Sequence, residues 1–168
     1  MFNQKITTTS TDLIQRAIGL GLWITTAESC TGGLIAGALT SVEGASSCVG
    51  AGYVTYSNEA KMDALNVSVD VLEAHGAVSS EVAGEMALGA KRTAQADLAI
   101  AVTGIAGPGG GTEEKPVGLV YIAVAGGTDD NALLVKKFEF GAIGRSEVRN
   151  ETVLNALQLG LEALRPQS

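Results

Sequence analysis

Hydrophobic and polar positions recur along the chain with two different periods, and the changes of period predict the order of helices and strands. Apolar and β-branched runs predict five strands, at Trp23–Ala27, Val49–Tyr56, Asp97–Val102, Val117–Ala125 and Ala132–Phe140. Apolar residues at helical spacing predict helices within 10–21, 29–40, 57–65, 81–94 and 145–164. Strands alternate with helices before two strands come in succession, which predicts an α/β fold: a three-layer α/β/α sandwich with a mixed, mostly parallel sheet.

Capping residues and turn residues place the helix boundaries. Ser10 or Thr11 is expected to cap the first helix, whose predicted apolar face is Leu13, Ile14, Ala17, Ile18 and Gly21. The stretch 29–40 is predicted to be a turn that leads into a helix of small residues. Ser57 or Asn58 is expected to cap the third helix, and Ser79 and Ser80 precede the long helix at 81–94. No internal repeat or linker interrupts this pattern.

Composition supports one domain spanning 1–168, because 168 residues is the size of an ordinary domain and no composition break divides the chain. Hydrophobic residues make up 46% and aromatic residues only 4%. The core is therefore expected to consist of Ala, Val, Ile and Leu. The 22 glycines would let backbones approach one another closely.

Charge and cysteine content exclude several classes of partner. A net charge of −7 and a pI near 4.6 give no electrostatic footprint for nucleic acid or an anionic membrane. The lone histidine, His75, cannot supply a zinc site with two or three His ligands, so neither metal nor cofactor is expected. Cys30 and Cys48 form no disulfide framework. The first residues lack a signal peptide's apolar stretch and no later window suits a bilayer span, so a cytoplasmic location is expected.

The first candidate cluster is Thr26-Ala-Glu-Ser-Cys-Thr-Gly-Gly33, at the predicted turn from strand to helix. A serine there presents its hydroxyl beside free N–H groups, which can hold an oxyanion or a phosphate. Ser29 is the candidate nucleophile, and the backbone from Cys30 through Thr31 and Gly32 to Gly33 is a candidate binding surface. Alternatively, Ser29 or Thr31 only caps the helix, and Cys30 is a rival nucleophile or a small core residue.

The second cluster is Tyr53-Val-Thr-Tyr-Ser-Asn-Glu-Ala-Lys61. If Ser57 or Asn58 caps the helix, Lys61 lies in its first turn, where the helix dipole disfavours a positive charge. Partial burial would lower the pKa of Lys61 further, from about 10.4 towards the range of a general base. The alternative is a solvated surface lysine.

The third cluster is a glycine-rich loop, Thr103-Gly-Ile-Ala-Gly-Pro-Gly-Gly-Gly-Thr112, which follows a buried strand. It matches neither a Walker loop nor a dinucleotide fingerprint. Thr103, Gly104 and Gly107 are candidate substrate contacts, because strand ends in open α/β sheets line ligand sites. The alternative is a flexible surface loop.

Arg145 and Arg149 share one face at the start of the last helix, where basic residues suggest a nearby anion. Arg145 is the candidate phosphate contact. The alternative, an ion pair with Glu147 or Glu151, applies more to Arg149. His75 is expected to make a loop hydrogen bond rather than to catalyse.

Together, TAESCTGG (26–33), GYVTYSNEAK (52–61), HGAVS (75–79) and TGIAGPGGGTEEKPVGLVY (103–121) resemble the CinA carboxy-terminal domain family, which includes stand-alone nicotinamide-nucleotide amidases. The resemblance spans about residues 8–164. It implies deamidation of nicotinamide mononucleotide to nicotinic acid mononucleotide and ammonia, in pyridine nucleotide recycling. It also implies that a serine and a lysine act together with a nearby tyrosine, which map onto Ser29, Lys61 and Tyr56.

This chain departs from the family in one motif. Family members resemble Gly-Asp-Arg before the last helix, whereas this chain has Ala142-Ile-Gly-Arg145. The amino-terminal domain of longer members, associated with dinucleotide pyrophosphatase work, has no counterpart here, so that activity is not expected.

The expected reaction begins when neutral Lys61 takes the proton of Ser29, which attacks the carboxamide. Tyr56 is expected to orient Lys61 or to relay a proton. Amides around 30–33 or 103–104 would hold the oxyanion. The alternatives are a non-catalytic nucleotide-binding or regulatory domain of the competence/damage-inducible type, and an enzyme that depends on Cys30. The expected partner is a small nucleotide, and small residues on exposed helices would suit a homo-oligomer.

Overall fold

A mixed five-stranded sheet forms the centre of the computed structural model, which describes residues 2–166. The strands are β1 (Ile24–Glu28), β2 (Val49–Val54), β3 (Leu98–Gly104), β4 (Leu119–Gly126) and β5 (Leu133–Glu139). Their order is β2-β1-β3-β4-β5. β1 runs parallel to both β2 and β3, and β4 and β5 continue the sheet antiparallel to their neighbours. The predicted fold class is confirmed.

In the described part of the chain, six helices cover the two faces of the sheet. They are α1 (Gln4–Leu20), α2 (Leu34–Thr40), α3 (Asn58–Leu65), α4 (Val69–His75), α5 (Ser80–Ala94) and α6 (Arg145–Ala163). Helices α1, α2 and α6 pack on one face, and α3, α4 and α5 lie on the other. None of these helices is both long and apolar enough to cross a membrane.

The two faces of the sheet carry side chains of different size. On β3, Leu98, Ile100 and Val102 point towards the first layer. Between them, Ala99 and Ala101 point towards α5, which meets them with small residues: Ala83, Ala87 and Ala90. Small side chains on both surfaces let the helix and the sheet approach closely. The expected core of small aliphatic residues is confirmed.

The largest difference from the sequence prediction lies in α1. This helix begins at Gln4 and is capped by Asn3, whose side chain accepts a hydrogen bond from Ile6 N at 2.9 Å. The predicted caps are therefore wrong. Ser10 is buried inside the helix, where its hydroxyl donates to Ile6 O at 2.8 Å. A serine can satisfy its hydroxyl by this back-bond, so its presence does not mark a helix start.

The remaining differences are smaller. Ile18 is exposed rather than part of the apolar face, and Gly21 ends α1 in the left-handed conformation. Helix α4 and a short 3₁₀ turn at Ala45–Ser47 were not predicted. Of the two caps predicted for α3, Ser57 is confirmed, and Ser79 caps α5; each accepts a hydrogen bond from the first turn of its helix.

The topology gathers the candidate motifs at one edge. Because β1, β2 and β3 are parallel, their carboxyl ends lie at the same edge of the sheet. Ser29 follows β1, the segment 55–61 follows β2, and the glycine-rich loop follows β3. Three stretches far apart in sequence therefore meet.

The close approach of α5 generates a stability prediction. A Cβ added at Gly89 would lie 2.0 Å from the carbonyl oxygen of Leu65, at the end of α3. Because a backbone oxygen cannot move aside, Gly89→Ala should lower the free energy of unfolding by about 1–3 kcal/mol or more. The matched control is Gly19→Ala in α1, where the added carbon meets nothing within 4 Å. That change should raise the free energy of unfolding by up to about 1 kcal/mol. Urea unfolding measures both, and equal effects would contradict the prediction.

Candidate active site

A tight turn directly after β1 presents Ser29. Its backbone N–H continues the sheet by donating to Val102 O at 3.1 Å, and its carbonyl accepts from Gly32 N at 3.0 Å. Gly32 and Gly33 then adopt positive φ angles of 59° and 97°. These angles favour glycine, so the local sequence is suited to reversing the chain between β1 and α2.

A buried carboxylate underlies this turn. Glu28 is 0% exposed, and its two oxygens accept four hydrogen bonds. The donors are the Thr31 hydroxyl at 2.6 Å and the backbone N–H groups of Gly33, Ile35 and Ala36 at 3.2, 2.9 and 2.8 Å. The N-cap of α2 is Gly33, which has no side chain to cap the helix, so Glu28 performs that function.

The position of Glu28 changes the expectation for the start of α2. The sequence suggested that the free N–H groups there could bind an oxyanion or a phosphate. In the structure, those of Gly33, Ile35 and Ala36 already donate to Glu28. The start of this helix therefore already holds an anion of the protein itself.

Lys61 reaches Ser29 from the opposite face of the sheet. Its Nζ lies 3.2 Å from Ser29 Oγ, 2.7 Å from Thr55 O and 3.4 Å from Tyr56 O. The side chain is only 1% exposed. The alternative of a solvated surface lysine is therefore wrong.

Burial lowers the pKa of Lys61 below the ordinary lysine value. Because desolvation disfavours the ammonium form, a larger fraction of Lys61 is neutral at a given pH than for a lysine in water. A neutral amine can donate two hydrogen bonds and accept one. The two carbonyls accept from Nζ, and the Ser29 hydroxyl can either accept from an ammonium or donate to a neutral amine, so the three contacts accommodate both forms.

Cys30 is a buried thiol, 5% exposed. Burial, with the nearby charge of Glu28, raises its pKa to about 11. The thiolate that a cysteine nucleophile requires is therefore scarce at neutral pH. These surroundings favour Cys30 as a small core residue over Cys30 as a rival nucleophile.

Tyr56 and Arg145 form the outer wall of the site. The Tyr56 side chain is 63% exposed, and its hydroxyl lies 3.3 Å from Arg145 Nη2. Arg145 also donates from Nη1 to Gly107 O at 2.9 Å. The Tyr56 residue therefore meets Lys61 through its carbonyl and Arg145 through its phenol.

Arg149 holds the other side of the nucleophile turn. Its Nη2 donates to Thr31 O at 3.1 Å, while its buried Nε has no hydrogen-bond partner among the residues that the structure describes. The expected pairing of Arg149 with Glu147 or Glu151 is not found in that part of the chain.

The glycine-rich loop contacts the site through its first residues. Thr103 is buried, and its hydroxyl donates to Ala77 O at 2.8 Å. Gly104 and Gly107 pack tightly against the start of β4, since an added Cβ would lie 2.6 Å from Val120 and 2.5 Å from Val117 respectively. Both glycines are thus required by packing, whatever they contact besides.

His75 and the acidic residues provide no metal centre. His75 ends α4, with its Nδ1 3.8 Å from a Glu81 oxygen, and it lies outside the Ser29–Lys61 contact. In the described part of the chain, no three or more His, Cys, Asp or Glu residues are grouped so that they could hold a metal ion.

Two residues of the site were missed by sequence reasoning. Glu28 was seen only as part of a motif, although an acidic residue five positions before a glycine-capped turn could have suggested a capping role. The contact of Arg149 with Thr31 joins residues 118 positions apart, and no local pattern predicts it.

The comparisons with known proteins all point to the same family. The model of the CinA C-terminal domain matches residues 6–164. A relative from Enterobacter agglomerans, named nicotinamide-nucleotide amidohydrolase PncC, is 50% identical over 84% of this chain and 84% of its own length. A CinA-like protein from Citrifermentans bemidjiense is 51% identical over 82% of this chain, but the chain spans only 32% of that relative.

A solved structure agrees with these sequence matches. The competence/damage inducible protein CihA from Agrobacterium tumefaciens superposes with a TM-score of 0.95 at 46% sequence identity. The match covers 98% of this chain and 99% of the solved one. The fold and the sequence family therefore agree along nearly the whole chain.

The burial of Lys61 predicts a pH-dependent stability difference. Since its pKa is lowered on folding, the unfolded chain binds more protons than the native one between the lowered pKa and about 10.4. Stability contributed by this position therefore rises with pH across that window. Lys61→Met should be at least as stable as the native protein at pH 7, and this advantage should shrink at pH 9.5 because the native protein gains stability from Lys61 as the pH rises.

Urea unfolding at the two pH values measures this difference. Lys136→Met removes one charge at an exposed position and serves as the control. A Lys61→Met protein that is less stable than the native one by the same amount at both pH values would contradict the prediction.

Proposed function

The chain belongs to the CinA C-terminal domain family, and from this we propose that it hydrolyses nicotinamide mononucleotide to nicotinic acid mononucleotide and ammonia, in pyridine nucleotide recycling. The observation that carries the proposal is the 3.2 Å contact between Ser29 Oγ and the buried Lys61 Nζ. The name of the PncC relative, which is of similar length, supports the choice of substrate.

In the free enzyme, Lys61 acts as a neutral amine. Its two N–H bonds donate to the carbonyls of Thr55 and Tyr56, so its lone pair faces the Ser29 hydroxyl. Both carbonyls belong to the backbone and cannot take up a proton themselves. Lys61 is therefore the acceptor for the serine proton.

Acylation starts when Ser29 Oγ bonds to the carboxamide carbon while its proton passes to Lys61 Nζ. The carbonyl electron pair moves onto oxygen and forms a tetrahedral oxyanion. When this collapses, the carbon–nitrogen bond breaks, and the leaving nitrogen takes the proton from Lys61 to become ammonia.

Deacylation repeats these transfers with water. Lys61 accepts a proton from water, the hydroxide attacks the acyl carbon, and Ser29 Oγ leaves with the proton that Lys61 returns. One water is consumed and one ammonia is released per turnover. This chain's own residues carry every proton.

Tyr56 acts in this scheme by orienting Lys61. Its carbonyl and that of Thr55 are the two acceptors that direct the amine towards Ser29. The phenol instead faces Arg145, at the exposed rim where the substrate enters.

Arg145 binds the phosphate of the nucleotide in our proposal. It is exposed at the first residue of α6, and its present partners, a carbonyl and a phenol, carry no charge. A phosphate is a stronger acceptor for a guanidinium than either. The N-cap of α6, Gly144, supplies no side-chain cap, so this helix start differs from that of α2, which Glu28 occupies.

A nucleotide-binding regulatory domain is the alternative function, since the Agrobacterium relative carries a competence/damage-inducible name. Binding a nucleotide does not require an amine buried beside a serine, and desolvating a lysine is costly. That cost favours catalysis. Nucleotide binding without release of ammonia would favour the regulatory alternative.

Hydrolysis by the Ser29–Lys61 pair predicts a specific pattern of inactive variants. Ser29→Ala should lower the rate of ammonia release from nicotinamide mononucleotide by about 10³-fold or more, since the pair acts as a unit. Lys61→Arg should be similarly inactive because a guanidinium keeps its proton. Cys30→Ala should keep most of the activity, because it retains the backbone and removes only a buried thiol.

Free nicotinamide serves as the substrate control, and circular dichroism checks that each variant is folded. Turnover by folded Ser29→Ala, or loss of activity in folded Cys30→Ala, would reverse the nucleophile assignment. Turnover by folded Lys61→Arg would leave the base unidentified.

Phosphate recognition predicts a preference for the nucleotide over its riboside. Removing the phosphate should lower kcat/KM, because remote binding energy can be expressed in the transition state. In Arg145→Met, kcat/KM for the nucleotide should fall while that for the riboside changes little. Arg92→Met, at an exposed position of α5, is the matched control. Equal kcat/KM values for the two substrates in the native enzyme would rule out a phosphate-reading pocket.

A further inference from the structure

The backbone N–H groups of the nucleophile turn can be accounted for one by one. Between residues 30 and 36, Gly32 N donates to Ser29 O and Leu34 N donates to Thr31 O. Three others donate to Glu28. Only the N–H groups of Cys30 and Thr31 donate to no other residue that the structure describes.

These two N–H groups directly follow the candidate nucleophile. When Ser29 attacks a carboxamide, negative charge develops on the oxygen of the same carbon, within a few ångströms of Ser29 Oγ. The residue after a nucleophile commonly supplies an oxyanion donor in hydrolases that carry the serine at a strand-to-helix turn.

We propose that the N–H group of Cys30 is the oxyanion donor of the nucleophile turn, and that Glu28 is the positioning residue that keeps it available. The proposal rests on the proposed Ser29–Lys61 hydrolysis. It decides between the two backbone segments, 30–33 and 103–104, that the sequence left open.

Thr31 is 0% exposed, so a substrate oxygen does not reach its N–H, and it instead anchors the turn at two points. Its hydroxyl donates to Glu28 at 2.6 Å, and its carbonyl accepts from Arg149 at 3.1 Å. Because Glu28 also engages the first turn of α2, it connects this helix rigidly to the turn. The buried carboxylate therefore fixes where the Cys30 N–H group stands.

A carboxamide cannot replace this carboxylate. In Glu28→Gln, one acceptor oxygen becomes an NH₂ donor, which must face the Ala36 N–H or the donors around Thr31. Two donors then point at each other, and the turn has to shift. Such a shift displaces the oxyanion donor while leaving Lys61, on α3, in place.

The experiment uses a small alkyl fluorophosphonate as probe. Ser29 Oγ forms a bond to phosphorus, fluoride leaves, and Lys61 takes the serine proton, so the phosphoryl oxygen stands where the oxyanion would form. Mass spectrometry of the intact protein gives the rate of this reaction, independently of any nucleotide substrate. Turnover of nicotinamide mononucleotide is measured in parallel.

Glu28→Gln should slow both phosphonylation and kcat by about 10²-fold, the effect of losing an oxyanion donor. KM and the midpoint of the pH–rate profile should stay unchanged, because the charge of Glu28 is not among the influences on the pKa of Lys61. The control Ser10→Ala removes another buried hydrogen bond, in α1, and should lower stability without changing either rate.

A second pair of variants covers the case in which Glu28→Gln does not fold. Thr31→Val removes one donor to Glu28 without altering charge and should slow phosphonylation by about 10-fold, whereas Thr31→Ser keeps the hydroxyl and should recover most of the rate. In a crystal structure of the native adduct, the phosphoryl oxygen should lie about 2.7–3.1 Å from Cys30 N.

Three results would overturn the inference: an unchanged rate in folded Glu28→Gln, a phosphoryl oxygen bound at 103–104, or no reaction of native Ser29. A different result separates it from the proposed function. In that result, Ser29 reacts with the fluorophosphonate at a rate that depends on Glu28 while nicotinamide mononucleotide is not hydrolysed. It would contradict the substrate assignment and would still support the oxyanion donor.

Discussion

The arrangement of the site depends on a carboxylate that water does not reach. Burying an ionised glutamate is costly unless its oxygens are satisfied, and Glu28 is satisfied by four donors from the turn that follows it. The same hydrogen bonds that stabilise the charge fix the path of the chain from β1 into α2. The hydrogen bonds that the buried Glu28 carboxylate requires therefore also fix the geometry around Ser29.

Lys61 is a basic group that is likewise buried, on the other face of the sheet. Within residues 2–166, its amine is buried without a carboxylate partner in contact, and its hydrogen-bond partners are two backbone carbonyls and the Ser29 hydroxyl. An anionic partner would have favoured the ammonium form, whereas carbonyls tolerate the neutral amine. The site thus separates its two ionisable groups: Glu28 is engaged by N–H and hydroxyl donors, and burial lowers the pKa of Lys61.

Local patterns predicted the layers and the strands because these depend on short-range periodicity, whereas the resemblance to the family is what grouped Ser29, Lys61 and Tyr56. The start of α1 was predicted wrongly because Ser10 and Asn3 are both capping residue types, and only the folded chain shows which one caps the helix. Helix α4 is seven residues long, too short for a clear apolar period. The roles of Glu28 and Arg149 depend on burial and on contacts between distant segments, which the sequence does not display.

The contact of Arg149 with the Thr31 carbonyl has a consequence for the order of folding. It joins the nucleophile turn to the last helix across 118 residues, and Arg145 joins the same helix to Tyr56 across 89. Contacts of such long range form late, because closing a large loop of chain costs entropy before the contact contributes any stabilising free energy. During synthesis, the serine and lysine emerge from the ribosome long before the arginines that complete their surroundings. The two arginine contacts around the candidate site can therefore form only after the final helix has been synthesised and has docked.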